Sequence, residues 1–157
     1  MFKVLFFLTF LCLANAQELP REKIRVSGLI NKNIEKVFKV DYLEKFKTEK
    51  FKIFDPYSAD REILFEGISI EDIFNKFAPS SKSVEVTAIN LYRINIQRGS
   101  KLAKDLFFVF KENDKYIPVE RMGPLRIIKR HLGKISKNDL VLEGTAWVWM
   151  VSELKFE

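Results

Sequence analysis

Residues 63–97 read ILFEGISIEDIFNKFAPSSKSVEVTAINLYRINIQ, and this stretch contains a strand, a helix and a β-hairpin in succession. Ser69 is a favourable N-cap, and Asp72 follows three residues later, as in a capping box. Apolar side chains then recur at the i, i+3, i+4 and i+7 spacing of an amphipathic helix, at Ile70, Ile73, Phe74 and Phe77. Pro79 prevents continuation, so we predict one helix that ends at about Phe77.

The residues after this helix alternate with a period of two. Val84, Val86 and Ala88 fall on one face of a predicted strand that runs from Ser83 to Ile89. A second alternating run then follows, with apolar residues at Tyr92, Ile94 and Ile96. The short intervening sequence Ile89-Asn90-Leu91 suits a tight turn, so the pair is predicted to form a hairpin.

Outward from this region, most segments also read as short strands. Phe107–Phe110 is a continuous apolar run, which indicates a strand that is buried on both faces. Further strands are predicted at Ile24–Val26, Val37–Val40, Phe51–Phe54, Ile63–Phe65, Leu125–Ile128 and Trp147–Phe156, and short helices at Asp41–Phe46, Ser100–Lys104 and Ser136–Leu142. Mixed short strands with few helices predict a single α+β domain.

The first sixteen residues have the organisation of a secretory signal peptide. Lys3 supplies the positive start, Val4–Leu13 is an apolar run, and Ala14-Asn15-Ala16 is a small-residue cleavage site. The apolar run is about half as long as a helix that spans a bilayer. The alternative is an ordinary buried element. We therefore expect cleavage near Ala16, with residues 17–157 forming the mature domain.

Cys12 is the only cysteine and lies inside this leader. Cleavage therefore removes every thiol, which excludes disulfides, cysteine nucleophiles and thiolate metal ligands from the mature chain. An exported chain without disulfides fits a bacterial periplasm better than an animal secretion. Localisation in the periplasm is the resulting expectation.

The net charge is +6 for the full chain and +5 for residues 17–157, because Lys3 is the only charged residue of the leader. Export argues against nucleic acid as the partner. An acidic protein, an anionic small ligand and an anionic membrane surface stay open as explanations, beside the simpler one that scattered lysines keep the protein soluble.

The sequence contains no HExxH, CxxC, P-loop, GxGxxG or GxSxG motif, so the common catalytic and nucleotide-binding signatures are absent from it. His131, the only histidine, stands in the basic run Lys129-Arg130-His131, where a solvated role is expected. Trp147 and Trp149 are two residues apart, so in a strand both would point to one face, roughly 7 Å apart. The two indoles would then form either a core wall or a platform for a planar ligand.

Five segments in order resemble the sulfite-oxidase-type molybdopterin-binding domain. They are Phe65-Glu66-Gly67-Ile68 with the following helix, Val86–Tyr92, Leu106–Pro118, Arg121-Met122-Gly123-Pro124-Leu125-Arg126, and Ala146-Trp147-Val148-Trp149. The last segment is similar to the W-V-W ending of short, stand-alone, exported members. The resemblance implies a sulfite-oxidase-like fold over most of the mature chain.

The departures from this family also carry information. The family's enzymes bind molybdenum through a cysteine thiolate, which the mature chain lacks, so no metal is expected and an enzymatic role is disfavoured. Met122 replaces a glycine of the family's Gly-Gly-Pro turn, Lys115 stands where a glycine is usual, and Lys129-Arg130 replaces a proline.

Members without the cysteine look like periplasmic pterin-binding proteins. The resemblance implies a non-catalytic protein that binds a pterin and signals through the periplasmic domain of an inner-membrane sensor, a cyclic-di-GMP enzyme or a kinase, in biofilm control. A pterin is flat, so the aromatic candidates for stacking are Trp147, Trp149, Tyr57 and Tyr92. Candidates for its polar edge are Asn90, Glu66, Arg121 and the backbone at Gly123.

Each polar candidate also has a structural interpretation. Asn90 suits hairpin turn chemistry, Glu66 suits a surface ion pair, and Arg121 with Gly123 suits a structural turn. Two other functions stay open: a molybdopterin-dependent oxidoreductase or a subunit of one, and an interaction domain without a small ligand.

Overall fold

Ten strands, two α-helices and three 3-10 helices make up the part of the chain that the structure, a computed structural model, describes: residues 19–57, 61–131, 133–135, 139 and 144–157. The strands are β1 (Ile24–Gly28), β2 (Val37–Phe38), β3 (Glu49–Asp55), β4 (Arg61–Ser69), β5 (Ser83–Ala88), β6 (Arg93–Gln97), β7 (Leu106–Glu112), β8 (Lys115–Tyr116), β9 (Arg126–Lys129) and β10 (Val151–Phe156). The α-helices are α1 (Ile70–Phe77) and α2 (Lys101–Asp105), and the 3-10 helices are Val40–Lys45, Val119–Arg121 and Gly144–Ala146.

The first sheet has the order β2-β1-β10-β5-β6. The last strand of the chain, β10, lies between β1 and β5, parallel to β1 and antiparallel to β5. Strands β5 and β6 are antiparallel neighbours with Val86 opposite Ile94, which confirms the predicted hairpin. Because β6 ends this order, the hairpin forms one edge of the sheet and its turn projects from one end.

The second sheet places β3, β4 and β7 side by side in antiparallel pairs. Strands β8 and β9 both pair with the remaining edge of β7, one near each end. Every residue from Leu106 to Phe110 is buried, which confirms the doubly buried strand. Leu106, Phe108 and Phe110 belong to one core cluster, whereas Phe107 and Val109 belong to the other.

The larger core joins the first sheet, α1 and one face of the second sheet. Helix α1 contributes its whole predicted apolar face, and its N-cap is the predicted one: Ser69 Oγ accepts from the Asp72 amide at 3.0 Å. The smaller core covers the other face of the second sheet and contains Phe51, Ile53, Ile63, Phe65, Phe107, Val109, Ile117, Ile128 and Trp147.

The helical segment predicted at Asp41–Phe46, one or two turns long, is present as the 3-10 helix Val40–Lys45. The predicted strand Trp147–Phe156 is wrong in its first part, because β10 begins only at Val151. Met150 has a left-handed φ of 53°, a conformation that is incompatible with a continuing strand, so residues 147–149 form irregular backbone.

The predicted leader, and the predicted helix Ser136–Leu142 apart from Asp139, lie outside the described residues. Within the described ranges, no helix has the length and apolar character that crossing a membrane requires.

Candidate functional site

A cavity of about 240 Å³ lies where the turn of the β5–β6 hairpin meets the segment that leads into β10. Its lining residues are Ala88, Asn90, Tyr92, Gly144, Trp147, Trp149 and Met150. Four of the eight ligand-binding residues predicted from the sequence therefore line one cavity. Two come from the hairpin turn and two from the segment before β10, which are more than fifty residues apart in the chain.

The two tryptophans and Tyr57 form an aromatic cluster beside this cavity. The ring centroid of Tyr57 lies 4.5 Å from that of Trp149, edge to face, and 5.7 Å from that of Trp147. The indoles are thus brought together by a shared tyrosine neighbour and not by strand alternation. Trp147 also belongs to the smaller core and is only 4% exposed, so it is both a core wall and a cavity wall.

Both indole N–H groups are buried without an acceptor. Trp147 Nε1, Trp149 Nε1 and Arg126 Nε are the buried side-chain nitrogens that find no hydrogen-bond partner within the described part of the chain. A buried polar group without a partner costs about 1–3 kcal/mol, and such groups in a folded protein call for an explanation by water, an ion or a ligand. All three are donors, so what they lack is a hydrogen-bond acceptor.

A buried ion pair lies under the aromatic cluster. Arg126 Nη2 donates to Asp55 Oδ2 at 3.2 Å, and neither side chain is more than 1% exposed. The guanidinium of Arg126 also lies 5.4 Å from the centre of the Phe65 ring. Asp55 Oδ1 accepts from the backbone N–H of Tyr57 at 3.0 Å, so the pair fixes the backbone that carries Tyr57.

The electrostatics of Tyr57 follow from these neighbours. Burial raises the pKa of the Tyr57 phenol, and the negative charge of Asp55 raises it further, while Arg126 partly opposes them. Tyr57 therefore stays protonated and neutral over the physiological range, as a hydrogen-bond donor with an apolar ring.

The hairpin turn is held by its own side chains. Asn90 Oδ1 accepts from the backbone N–H of Tyr92 at 3.1 Å, which is the turn chemistry expected of asparagine. The Tyr92 hydroxyl donates to the carbonyl oxygen of Thr145 at 2.9 Å and so ties the turn to the opposite wall of the cavity. Asn90 thus has a structural role and also lines the cavity.

The remaining predicted residues are held elsewhere. Glu66 lies on β4, where it accepts from Thr48 Oγ1 at 3.1 Å and pairs with Lys50 at 3.7 Å. Arg121 pairs with the buried carboxylate of Glu112, with Nη2 and Oε2 at 3.2 Å, and lines a separate polar cavity. Gly123 packs so closely on residue 117 that a β-carbon would overlap the Ile117 carbonyl oxygen. None of the three lines the cavity of the two tryptophans.

Sequence reasoning missed Ala88, Gly144 and Met150 as cavity residues, and it missed Asp55–Arg126 as the ion pair next to Tyr57. Arg126 carried a signal, because a charged residue inside the apolar strand Leu125–Ile128 requires a buried partner. The other three carry no polar group that would mark a site. Across the described ranges there is no group of three or more His, Cys, Asp or Glu side chains able to hold a metal ion.

Comparison with solved structures gives a distant likeness of fold. The chain is similar to the sulfane dehydrogenase SoxCD from Paracoccus pantotrophus, with a TM-score of 0.59 and 14% sequence identity, over 86% of this chain and 38% of that one. No protein-family model and no curated protein matches the chain.

At this identity the likeness concerns the fold alone. It supports a distant molybdopterin-binding-type fold, and the two mixed sheets with few helices agree with the α+β class expected from the sequence. The chain spans well under half the length of the SoxCD chain that it matches.

Proposed function

We propose that the chain is a non-catalytic periplasmic binding protein for a pterin-type ligand, and that it signals through the periplasmic domain of an inner-membrane sensor, a cyclic-di-GMP enzyme or a kinase. The observation that carries the proposal is the cavity between the hairpin turn and Trp147 and Trp149. Two of its lining residues, Trp147 and Trp149, offer aromatic surface, and their Nε1 groups are buried without an acceptor.

The dimensions of the cavity favour a small planar ligand. A volume of about 240 Å³ lies just below the range of roughly 300–1,000 Å³ that is usual for ligand sites. This size suits a bicyclic ring system better than a dinucleotide. The rings of Trp149 and Tyr92 supply partly exposed aromatic surface, and stacking on such rings contributes on the order of 1 kcal/mol each.

The polar groups fit a heterocycle that carries lone pairs. The unpartnered Nε1 groups of Trp147 and Trp149 are suited to carbonyl or ring-nitrogen acceptors, which a pterin offers along one edge. The carboxamide of Asn90 is suited to the amino and amide edge. When bound, a pterin would be held by these side chains; a bound metal forms no part of the proposal.

The stand-alone exported membership and the periplasmic location rest on the sequence. The leader at residues 1–16 contains the only cysteine, so its removal would leave a domain of this fold without the thiolate that holds molybdenum in the enzymes. The second candidate is a molybdopterin-dependent oxidoreductase or a subunit of one. The observation in its favour is the similarity of the fold to that of a dehydrogenase.

Ligand binding by the purified chain tests the proposal. Titration with 7,8-dihydrobiopterin should quench the fluorescence of Trp147 and Trp149, and a hundredfold excess over Kd should stabilise the fold by about 2.7 kcal/mol. Adenosine, a planar molecule without the pterin edge, serves as the control. If dihydrobiopterin gives neither quenching nor thermal stabilisation, the proposed ligand class is wrong.

A metal measurement separates the two candidates. The chain is incubated with molybdenum cofactor, desalted and analysed by mass spectrometry for bound metal. We expect no stoichiometric molybdenum. One molybdenum per chain would favour the oxidoreductase and would count against the binding protein.

A further inference from the structure

The turn of the β5–β6 hairpin exposes an unusual amount of apolar surface. Leu91 is 74% exposed, Ile89 49% and Tyr92 45%, so three of the six large hydrophobic side chains found exposed in the described residues stand within four positions. We call Ile89, Leu91, Tyr92 and the neighbouring Arg93 the hairpin face. Contiguous exposed apolar groups of this kind mark interaction sites, whereas single ones need no explanation.

Leu91 is held in a conformation that its side chain disfavours. Its φ is 67°, in the left-handed region, where a residue with a β-carbon costs roughly 1–2 kcal/mol. Glycine or asparagine would fit this turn position without that cost. Leu91 therefore adds backbone strain to the turn, and its side chain buries little apolar surface within the chain. A contact with another molecule would explain why a leucine stands at this position.

Arg93, at the start of β6, is the charged residue of the hairpin face. From residue 86 to residue 104 the sequence contains four cations, Arg93, Arg98, Lys101 and Lys104, and no Asp or Glu. Arg98 is engaged, since its Nη2 donates to Asn75 Oδ1 at 2.6 Å. Arg93, Lys101 and Lys104 are exposed and have no carboxylate partner among the described residues.

The same hairpin also forms a wall of the ligand cavity. Asn90 and Tyr92 line the cavity, while Ile89 and Leu91 beside them face solvent. The Tyr92 hydroxyl reaches across to Thr145 on the opposite wall. A molecule in the cavity would therefore touch the turn that carries the exposed apolar side chains.

We infer that the hairpin face is the docking surface for a protein partner, and that the partner presents an apolar pocket rimmed by carboxylates. Exposed leucine, isoleucine and tyrosine supply the apolar contact, and the exposed Arg93 beside them supplies charge complementarity to an acidic rim. The inference rests on the proposed function in taking the occupant to be the acidic domain of a protein sensor.

Site-specific photo-crosslinking in the native host cells tests this surface. A benzoylphenylalanine is placed at Leu91, and a control is placed at Leu29, which is 59% exposed and follows β1 near the opposite edge of the sheet. We expect one main adduct at Leu91 and none at Leu29. Its captured domain should carry net negative charge.

A charge swap then decides whether the adduct reflects specific docking. Arg93→Glu should reduce the adduct at least fivefold, whereas Arg25→Glu, a reversal at an exposed residue of β1, should leave it unchanged. A lysine substituted for the crosslinked partner's rim carboxylate should restore the adduct with Arg93→Glu. Thermal unfolding of each variant confirms that it is folded.

Several results would overturn the inference: equal adducts at Leu91 and Leu29, no adduct at Leu91, an adduct with a second copy of this chain, or an adduct insensitive to Arg93→Glu. The inference would also be wrong if no protein adduct formed and the chain instead floated with phosphatidylglycerol vesicles in a manner that depends on Leu91 and Arg93. In that case the hairpin face would bind a membrane surface. Failure of pterin binding with the charge-dependent adduct intact would overturn only the proposed ligand.

Discussion

At Gly123 the backbone passes so close to the main chain of residue 117 that there is no room for a side chain at position 123. The carbonyl carbon and oxygen of Ile117 occupy the space that a β-carbon would need. The sequence around Gly123 resembles a turn of the sulfite-oxidase-type domain, whereas in the structure Gly123 has a packing role against residue 117. A glycine in such a motif can therefore serve the fold of the turn.

Replacing Gly123 by alanine should lower the free energy of unfolding by about 3 kcal/mol, because backbone atoms have to move to admit the methyl group. Gly133→Ala is the matched control, since a β-carbon there meets nothing within 4 Å. Urea unfolding measures both. Equal losses for the two variants would show that the close approach does not determine stability.

Substitution of Trp149 tests the proposed ligand site most directly. Trp149→Leu keeps an apolar side chain but removes the aromatic face and the Nε1 donor. We expect the affinity for dihydrobiopterin to fall about tenfold, which corresponds to about 1.4 kcal/mol, by calorimetric titration. Phe46→Leu, another half-buried aromatic that lies outside the cavity lining, should leave the affinity unchanged.

At the scale of elements, the smaller core depends on a charged pair that joins β3 to β9. Arg126 and Asp55 are both fully buried, and the strands β4 and β7 lie between the two strands that carry them. The attraction between the charges is offset by their desolvation, so the pair adds little net stability while each partner requires the other.

Arg126→Met should therefore destabilise the fold by about 3–5 kcal/mol, because it leaves the Asp55 carboxylate buried without its counter-charge. Adding Asp55→Asn to Arg126→Met should recover part of this loss. Arg130→Met is the control, since Arg130 pairs with Glu49 at 2.7 Å but both side chains are about one-third exposed. Chemical denaturation should show a loss of no more than about 1 kcal/mol for that control.

The 3-10 helix Val40–Lys45 is tied to the second sheet by Glu44. Lys111 Nζ lies 2.6 Å from Glu44 Oε1, and the Tyr116 hydroxyl donates to the same oxygen. Hydrogen bonds from Lys111 and from Tyr116 lower the pKa of Glu44 below its ordinary value. A lowered carboxyl pKa contributes stability above the unfolded-state pKa, and this contribution is lost as the pH falls through the folded-state value.

Glu44→Gln should thus lower Tm at about pH 7, and at about pH 2 its difference from the wild type should be smaller, because the contribution of the lowered pKa is lost as the pH falls. Glu62→Gln is the control, because Glu62 and Lys52 form an exposed pair at 3.7 Å. Differential scanning calorimetry at both values distinguishes them. A Glu44→Gln effect that persisted unchanged at about pH 2 would contradict an electrostatic origin.

At the scale of the whole molecule, the two sheets share the larger core and contribute differently to the candidate site. The first sheet carries the hairpin whose turn lines the cavity and exposes the apolar side chains. The second sheet supplies Asp55 and Arg126, which lie behind Tyr57. The cavity is thus lined by the hairpin and the segment before β10, while the second sheet supports the aromatic cluster beside it.

The processing of the chain is a prediction at this scale. Amino-terminal sequencing of the protein from the periplasmic fraction of its host should give Gln17 as the first residue, and Ala16→Leu should block cleavage, since a large side chain does not fit the peptidase. Lys36→Leu, a change outside the leader, should be processed normally. An intact amino terminus at Met1 in the fractionated protein would contradict the export proposal.

The local elements could largely be predicted because their causes are local. The cap at Ser69, the period-3.6 face of α1 and the period-2 alternation of the hairpin are properties of neighbouring residues. The strand expected from Trp147 failed for a non-local reason. Met150 donates its N–H to Met122 and accepts from Ile89, and these contacts hold it in a left-handed conformation.

The candidate site could be predicted only in part. Residue type alone predicts that Trp147, Trp149, Tyr92 and Asn90 suit a flat polar ligand, and the fold brings all four to one cavity. Glu66 and Arg121 were equally suitable by type, but they are engaged by Lys50 and Glu112 in other parts of the structure. Residue type shows what a side chain can bind, while the sheet order decides which side chains meet.

The sequence by itself therefore determined the α+β class, α1, the hairpin and the doubly buried β7, because burial periodicity and capping act over a few residues. Only the tertiary structure decided that β10 lies between β1 and β5, that Arg126 meets Asp55, and that two indoles share Tyr57 beside a cavity. These are contacts between residues far apart in the chain, and they form only when both sheets pack on the common core.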